Sequence, residues 1–207
     1  SGKTEIYIKL IEQYLKLGKQ VLYLLPEISL TTQIIQKLKN YFSNKISVYH
    51  SRYSLNERTE VWESIRNNKE NSKIVIGARS SVFLPFENLG LIIVDEEHEV
   101  SYKQQEPSPR YNARDSAIYL SKIFKAKIIL GSATPSIEST FNAKNNKYGF
   151  VEIKERYGNI DLPFIYTIDM KTEPKHEFSP IFSKKLVDEI NKALDKGKQV
   201  ILFRNRR

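Results

Sequence analysis

Residues 89–100, "LGLIIVDEEHEV", decide the fold. From Leu89 to Val94 the run is apolar without polar alternation, the signature of a strand buried on both faces of a helix-covered sheet. It stops at Asp95, Glu96 and Glu97. Adjacent carboxylates at the end of a buried strand repel one another and lose hydration unless a cation compensates them. The stretch therefore predicts a layered α/β sheet with a cation at one edge.

The flanking sequence repeats the pattern. Residues 4–17 carry Ile6, Ile8, Leu10, Ile11, Tyr14, Leu15 and Leu17 near helical spacing, and Gly18 ends the helix. "QVLYLLP" reads as a buried strand, "SLTTQIIQKLKNYF" as a helix and "ISVYH" as a short strand. Ser54 and Glu57 form a capping box for the next helix, before the buried strand "KIVIG". A helix is expected from Asn112 to Phe124, then the strand and turn "KIILGSATPS", then a helix from Ser136 to about Lys144. Strand and helix alternate throughout, which implies a parallel α/β sheet with helices on both faces. After Gly149 the rhythm loosens into proline, glycine and charge. A first domain is expected over residues 1–157. Residues 158–207 read as a connection and the first elements of another domain: a strand "FIYTIDM", a helix over 183–194 and a strand "QVILFRN".

With 207 residues, 40% of them hydrophobic, the chain has material for one large or two small cores. Its net charge of +9 favours partners that carry phosphate. It has no cysteine, which excludes disulfides and thiolate metal sites from these residues. No apolar run approaches the roughly 20 residues that cross a bilayer, and no leader opens the sequence, so a soluble cytoplasmic protein without a membrane partner is expected.

Three stretches carry chemistry. "SGKT", Ser1, Gly2, Lys3 and Thr4, is the second half of a phosphate-binding loop at a helix start. In such a loop the backbone N–H groups hold phosphate, the lysine reaches the terminal phosphates and the hydroxyl ligates Mg²⁺. Asp95 supplies the carboxylate that a Mg²⁺·ATP site requires, at the strand end where open α/β sheets bind ligands. Glu96 is placed to take a proton from an attacking water. His98 is placed to link nucleotide state to "GSAT", residues 131–134, while Glu97 has no assigned role.

The third stretch follows at once. Tyr102, Lys103, Gln104, Gln105, Arg110, Tyr111 and Arg114 combine rings that stack on bases with cations that meet a nucleic-acid backbone, which suits single-stranded nucleic acid. "PEISLTTQ" and "GARSSVF" offer hydroxyls, Arg79 and helix amides for phosphates, as helix caps also do.

"SGKT", "LLPEISLTTQ", "YHS", "GARSSVFLPF", "DEEHEVSYKQQEPSPRYNARD", "GSATPS" and "LFRNRR" occur in the order and approximate spacing of the bacterial primosomal replication-restart DNA helicases, a superfamily-2 DEAH-type family that the chain resembles over nearly its whole length. The resemblance implies a RecA-like first motor domain and the start of a second. It also implies an ATP-driven, 3′-to-5′ motor on single-stranded and forked DNA, with primosome and single-stranded-DNA-binding proteins as partners in a bacterial cytoplasm, at the nucleoid. By carry-over, Gly2, Lys3 and Thr4 correspond to the phosphate loop, and Asp95 and Glu96 to the metal-binding and water-activating pair. His98, Ser132 and Thr134 correspond to the coupling between hydrolysis and DNA. Residues 102–111 would sense single-stranded DNA, and Pro26, Glu27, Arg79 and Ser80 would line its path. The family's zinc module is expected in the full-length protein, outside these residues. The strand that precedes the phosphate loop would lie before Ser1, and a gap at the centre of the sheet is expected from its absence. Another superfamily-2 translocase, a phosphate-loop small-molecule kinase and a nucleic-acid-binding fragment without ATP turnover are the competing readings.

Overall fold

The computed structural model describes residues 2–27, 32–153, 163–172 and 181–204. Five strands pair in parallel in the order β2-β3-β1-β4-β5: β1 (Gln20–Leu24), β2 (Ile46–Tyr49), β3 (Ile74–Gly77), β4 (Leu89–Asp95) and β5 (Lys127–Gly131). Strand β4 lies between β1 and β5, and its residues Leu89 to Val94 are all buried. The unalternating run has the cause inferred for it, since each face of the strand meets a different set of helices. The expected central gap is not there: β4 pairs directly with β1 and with β5, and the ladder is unbroken from β2 to β5 among the described residues.

Alternate side chains on each strand point to opposite faces and build two cores. On one face Val21, Tyr23, Ile74, Ile76, Leu91 and Ile93 pack with Tyr7, Ile8 and Ile11 of α1 (Lys3–Lys16) and with Leu38 and Phe42 of α2 (Thr32–Phe42). On the other, Leu22, Leu24, Val75, Ile92 and Val94 meet Ile65 of α3 (Leu55–Arg66) and Ala113 and Ala117 of α4 (Ala113–Phe124). Full burial of each large aliphatic side chain contributes about 1.5–3 kcal/mol, so these two layers hold the sheet edge that carries the acids.

Local signals set the boundaries. Gly18, at φ +71°, follows α1 in the left-handed conformation that suits a residue without Cβ. The Ser54 and Glu57 capping box opens α3 with both reciprocal bonds formed. Asn112 caps α4, and Ser136 caps α5 (Ile137–Lys144). Helix α2 is described from Thr32, and the preceding "SLT" of the expected helix lies outside the described residues apart from its continuation.

By contacts the chain divides into Ser1–Asn159 and Ile160–Arg207. In the second unit, α6 (Lys184–Asp195) is capped by Ser183, and the Lys185 ammonium sits 3.5 Å from the centre of the Tyr166 ring. The two strands expected there are corrected: neither 164–170 nor 199–204 forms a ladder, and Phe164, Ile201 and Phe203 are more than nine-tenths exposed. β-rich sequence becomes a strand only when a neighbour takes up its backbone hydrogen bonds. No such neighbour is present among the described residues of this unit.

Candidate functional site

The first turn of α1 and the carboxyl ends of β1, β4 and β5 meet at one edge of the sheet. Lys3 donates from Nζ to Glu96 Oε1 at 2.7 Å and stands 3.8 Å from Asp95 Oδ1. This ammonium is the cation that the acidic strand end requires. The pair is partly shielded, with the side chains of Lys3, Asp95 and Glu96 15%, 13% and 34% exposed, so the most open carboxylate is that of Glu96. Glu96 has φ +47°, and this left-handed turn brings its side chain back over the end of β4 instead of continuing along the strand.

Asp95 is held from three directions. Tyr7 donates to Oδ1 at 3.3 Å, Tyr23 to Oδ2 at 3.1 Å and the Glu96 N–H to Oδ1 at 3.1 Å. Burial pushes both phenols up, and the negative charge of Asp95 adds to it, so Tyr7 and Tyr23 remain neutral donors at any working pH. The arrangement depends on Gly131 at the end of β5, where a Cβ would run into the Tyr7 hydroxyl. Tyr7 and Tyr23 escaped sequence reasoning because each sits in an apolar pattern that a core aromatic satisfies equally well.

His98 faces the β5 turn. Its Nδ1 lies 2.7 Å from Ser132 Oγ, its Nε2 3.4 Å from Thr134 Oγ1, and Glu96 Oε2 is 3.7 Å from Nδ1. Thus Glu96, His98, Ser132 and Thr134, four of the residues named from sequence, form one chain of contacts. Glu97 points the other way and is buried at 3% exposure. It accepts from the Ser136 N–H (2.7 Å) and from the hydroxyls of Ser136 (3.0 Å) and Ser139 (2.9 Å), and it pairs with Arg114 at 3.1 Å. Burial pushes its carboxyl up, but these donors together outweigh burial and hold it below the usual range.

The aromatic and basic loop divides into an anchor and a tip. Tyr102 is corrected: its ring is 1% exposed and its hydroxyl donates to the carbonyls of Leu24 (3.1 Å) and Asp95 (2.7 Å), so it is a core strut and offers no stacking face. Arg114 is corrected too, because its guanidinium turns inward to Glu97, Asp115 and Ser136. Lys103 and Asn112 form a bridge, and the Gln104 N–H donates to the Tyr111 carbonyl at 2.8 Å, which closes the base of the loop. The Gln104 amide also ties down the carbonyls of Pro107 and Pro109. Lys103, Gln105 and Arg110 are exposed. Tyr111 is half-buried, edge-to-face with Phe83 at 4.8 Å.

Arg79, half-buried, and Ser80, exposed, stand at the start of a short 3-10 turn after β3. Burial pushes the Tyr111 phenol up, with Arg79 opposing and Glu27 reinforcing, so both charges lie near that ring. Pro26 is buried beyond β1 and presents no surface, whereas Glu27 is exposed. Gly2 is exposed at the start of α1, Thr4 is half-buried in its first turn, and Ser1 lies outside the described residues.

The donor set fits Mg²⁺ bound with a nucleotide. No cluster of three or more His, Cys, Asp or Glu side chains suited to a metal occurs among the described residues. Mg²⁺ retains waters and needs one or two carboxylates together with phosphate oxygens, and Asp95 and the Thr4 hydroxyl are hard oxygen donors of that kind. Among the described residues no helix is long and apolar enough to cross a membrane.

Residues 1–142 match the family model of DEAD/DEAH box helicases. The chain is similar to the replication restart protein PriA of Rickettsia felis, 49% identical over 100% of this chain and 31% of that protein. It is 41% identical to PriA of Bacillus subtilis, over 100% of this chain and 25% of that protein. With PriA of Haemophilus influenzae it shares 47% identity over 100% of this chain and 28% of the relative. The chain thus spans about a third or less of the length of these relatives.

Proposed function

Because the chain belongs to the DEAD/DEAH box helicase family, we propose that it forms the ATP-hydrolysing part of a replication-restart DNA helicase. The family match speaks against a small-molecule kinase, and on this reading the parallel sheet belongs to the RecA-like first motor domain. The observation that carries the reading is Lys3 lying on both Asp95 and Glu96 at the carboxyl edge of the sheet.

In the working site Lys3 would leave its carboxylate partners for the terminal phosphates, and Thr4 and Asp95 would hold Mg²⁺, which would supply neutralisation of the phosphate charge. Asp95 is fixed in direction by Tyr7, Tyr23 and the Glu96 N–H, so little reorganisation accompanies nucleotide entry. Glu96, released by Lys3, accepts the proton of the attacking water. Its change of partner is felt by His98 and passed to Ser132 and Thr134.

The DNA partner is single-stranded or forked DNA, tracked 3′ to 5′. The exposed tip of the loop, with Lys103, Gln105 and Arg110, supplies cations and an amide; Tyr111, Arg79, Ser80 and Glu27 flank it. Residues 158–207 begin the second motor domain. The whole protein works in the bacterial cytoplasm with primosome and single-stranded-DNA-binding proteins, and any zinc belongs to parts of it outside this chain.

Lys3→Ala in the full-length protein tests the nucleotide site. Loss of this preorganised charge is expected to lower ATP turnover about a hundredfold or more, with DNA affinity retained. Unchanged turnover in a radiolabelled ATP assay would remove Lys3 from the site.

A further inference from the structure

One residue holds both ends of the segment that carries Ser132 and Thr134. The Glu97 N–H donates to the Gly131 carbonyl at 3.1 Å, where the β4 and β5 ladder ends. Its side chain accepts from the Ser136 N–H at 2.7 Å, where α5 begins, and from the hydroxyls of Ser136 and Ser139. Between these two fixings lie residues 132–135, whose hydroxyls reach His98. Arg114 closes the far side by donating to Ser136 Oγ at 2.8 Å while it pairs with Glu97.

We propose that Glu97 is a positioning residue that brackets residues 131–136, setting the reach of Ser132 and Thr134 to His98 and so the transfer of nucleotide state to DNA. The proposal rests on the helicase reading for its consequence, though the bracket itself is a matter of geometry. Glu97 touches none of Lys3, Thr4 or the Asp95 carboxylate among its hydrogen bonds. Its charge sits in a buried setting where a carboxylate needs several donors, and Ser136 and Ser139 supply them from a single helix turn. Removing the carboxylate leaves the Ser136 N–H and two hydroxyls to water, and the start of α5 moves away from β4. The hydrogen bonds of Lys3 to Glu96 and of Tyr7 and Tyr23 to Asp95 do not run through it.

The test uses the full-length protein with Glu97→Ala and the milder Glu97→Gln. Two quantities are read: ATP turnover with and without an oligo-dT strand, and amide hydrogen exchange of Ser132, Ala133, Thr134 and Ser136 without DNA. In Glu97→Ala the exchange of these amides is expected to quicken about tenfold or more, turnover without DNA to stay within about twofold, and stimulation by DNA to fall about tenfold. Glu97→Gln keeps one acceptor oxygen for the Ser136 N–H and should fall between. Should Glu97→Ala not fold, Glu97→Gln decides by the same readouts.

Unchanged exchange in a folded variant overturns the bracket. Equal losses of basal and stimulated turnover overturn the positioning role and leave a general structural one. If the unmodified protein shows no DNA stimulation at all, the helicase reading fails, and exchange still decides whether Glu97 holds the segment.

Discussion

Asp95, Glu96 and Glu97 are adjacent in sequence and separate in task. Asp95 faces two phenols and Lys3, Glu96 turns back through a left-handed backbone to the same lysine, and Glu97 is buried against α5. For the first two a cation requirement was legible from charge at a strand end, and Lys3 lies against both. Glu97 was beyond it: its partners Ser136, Ser139 and Arg114 are polar residues of ordinary helix starts, and only the fold brings them to one carboxylate. Tyr102 shows the opposite error. Its basic, glutamine-rich neighbours suggest a stacking ring, yet its hydroxyl spans the carbonyls of Leu24 and Asp95 at the sheet edge. Tyr102→Ala should therefore cost stability, about 3–5 kcal/mol, as for other buried aromatic side chains. A urea midpoint equal to that of the unmodified protein would return Tyr102 to the DNA-facing surface.

At the scale of elements, β4, the following turn and the loop run without interruption from the acidic sheet edge to the basic tip. An apolar run without alternation made β4 legible, and caps at Ser54, Asn112 and Ser136 made α3, α4 and α5 so. Residues 164–170 and 199–204 carry equal β character without ladders, because strand formation needs a partner and sequence pattern records only the side chains. The loop base is fixed by the Lys103 and Asn112 bridge and by Gln104, so its tip presents a preset surface. Lys103→Ala and Arg110→Ala should each weaken single-stranded DNA binding and flatten the dependence of log affinity on log salt by about 0.7. An unaltered slope in a fluorescence-anisotropy titration would place the DNA elsewhere.

For the whole molecule, the two cores on opposite faces of the sheet hold α1 and the ends of β1, β4 and β5 in register, and this register brings Lys3 to Asp95 and Glu96 from a sequence distance of more than ninety residues. The parallel α/β sheet was legible as alternation of strand and helix, while the direct pairing of β4 with both β1 and β5 was not, since sequence period does not record which strands are neighbours. Under the proposed function the same edge would carry nucleotide chemistry and, through His98 and the loop, the contact with DNA. The most direct measurement is steady-state ATP hydrolysis by the full-length protein with and without single-stranded DNA. Coupling through His98, Ser132 and Thr134 predicts turnover raised about tenfold or more by DNA. ATP turnover that ignores DNA at saturating concentration would contradict it.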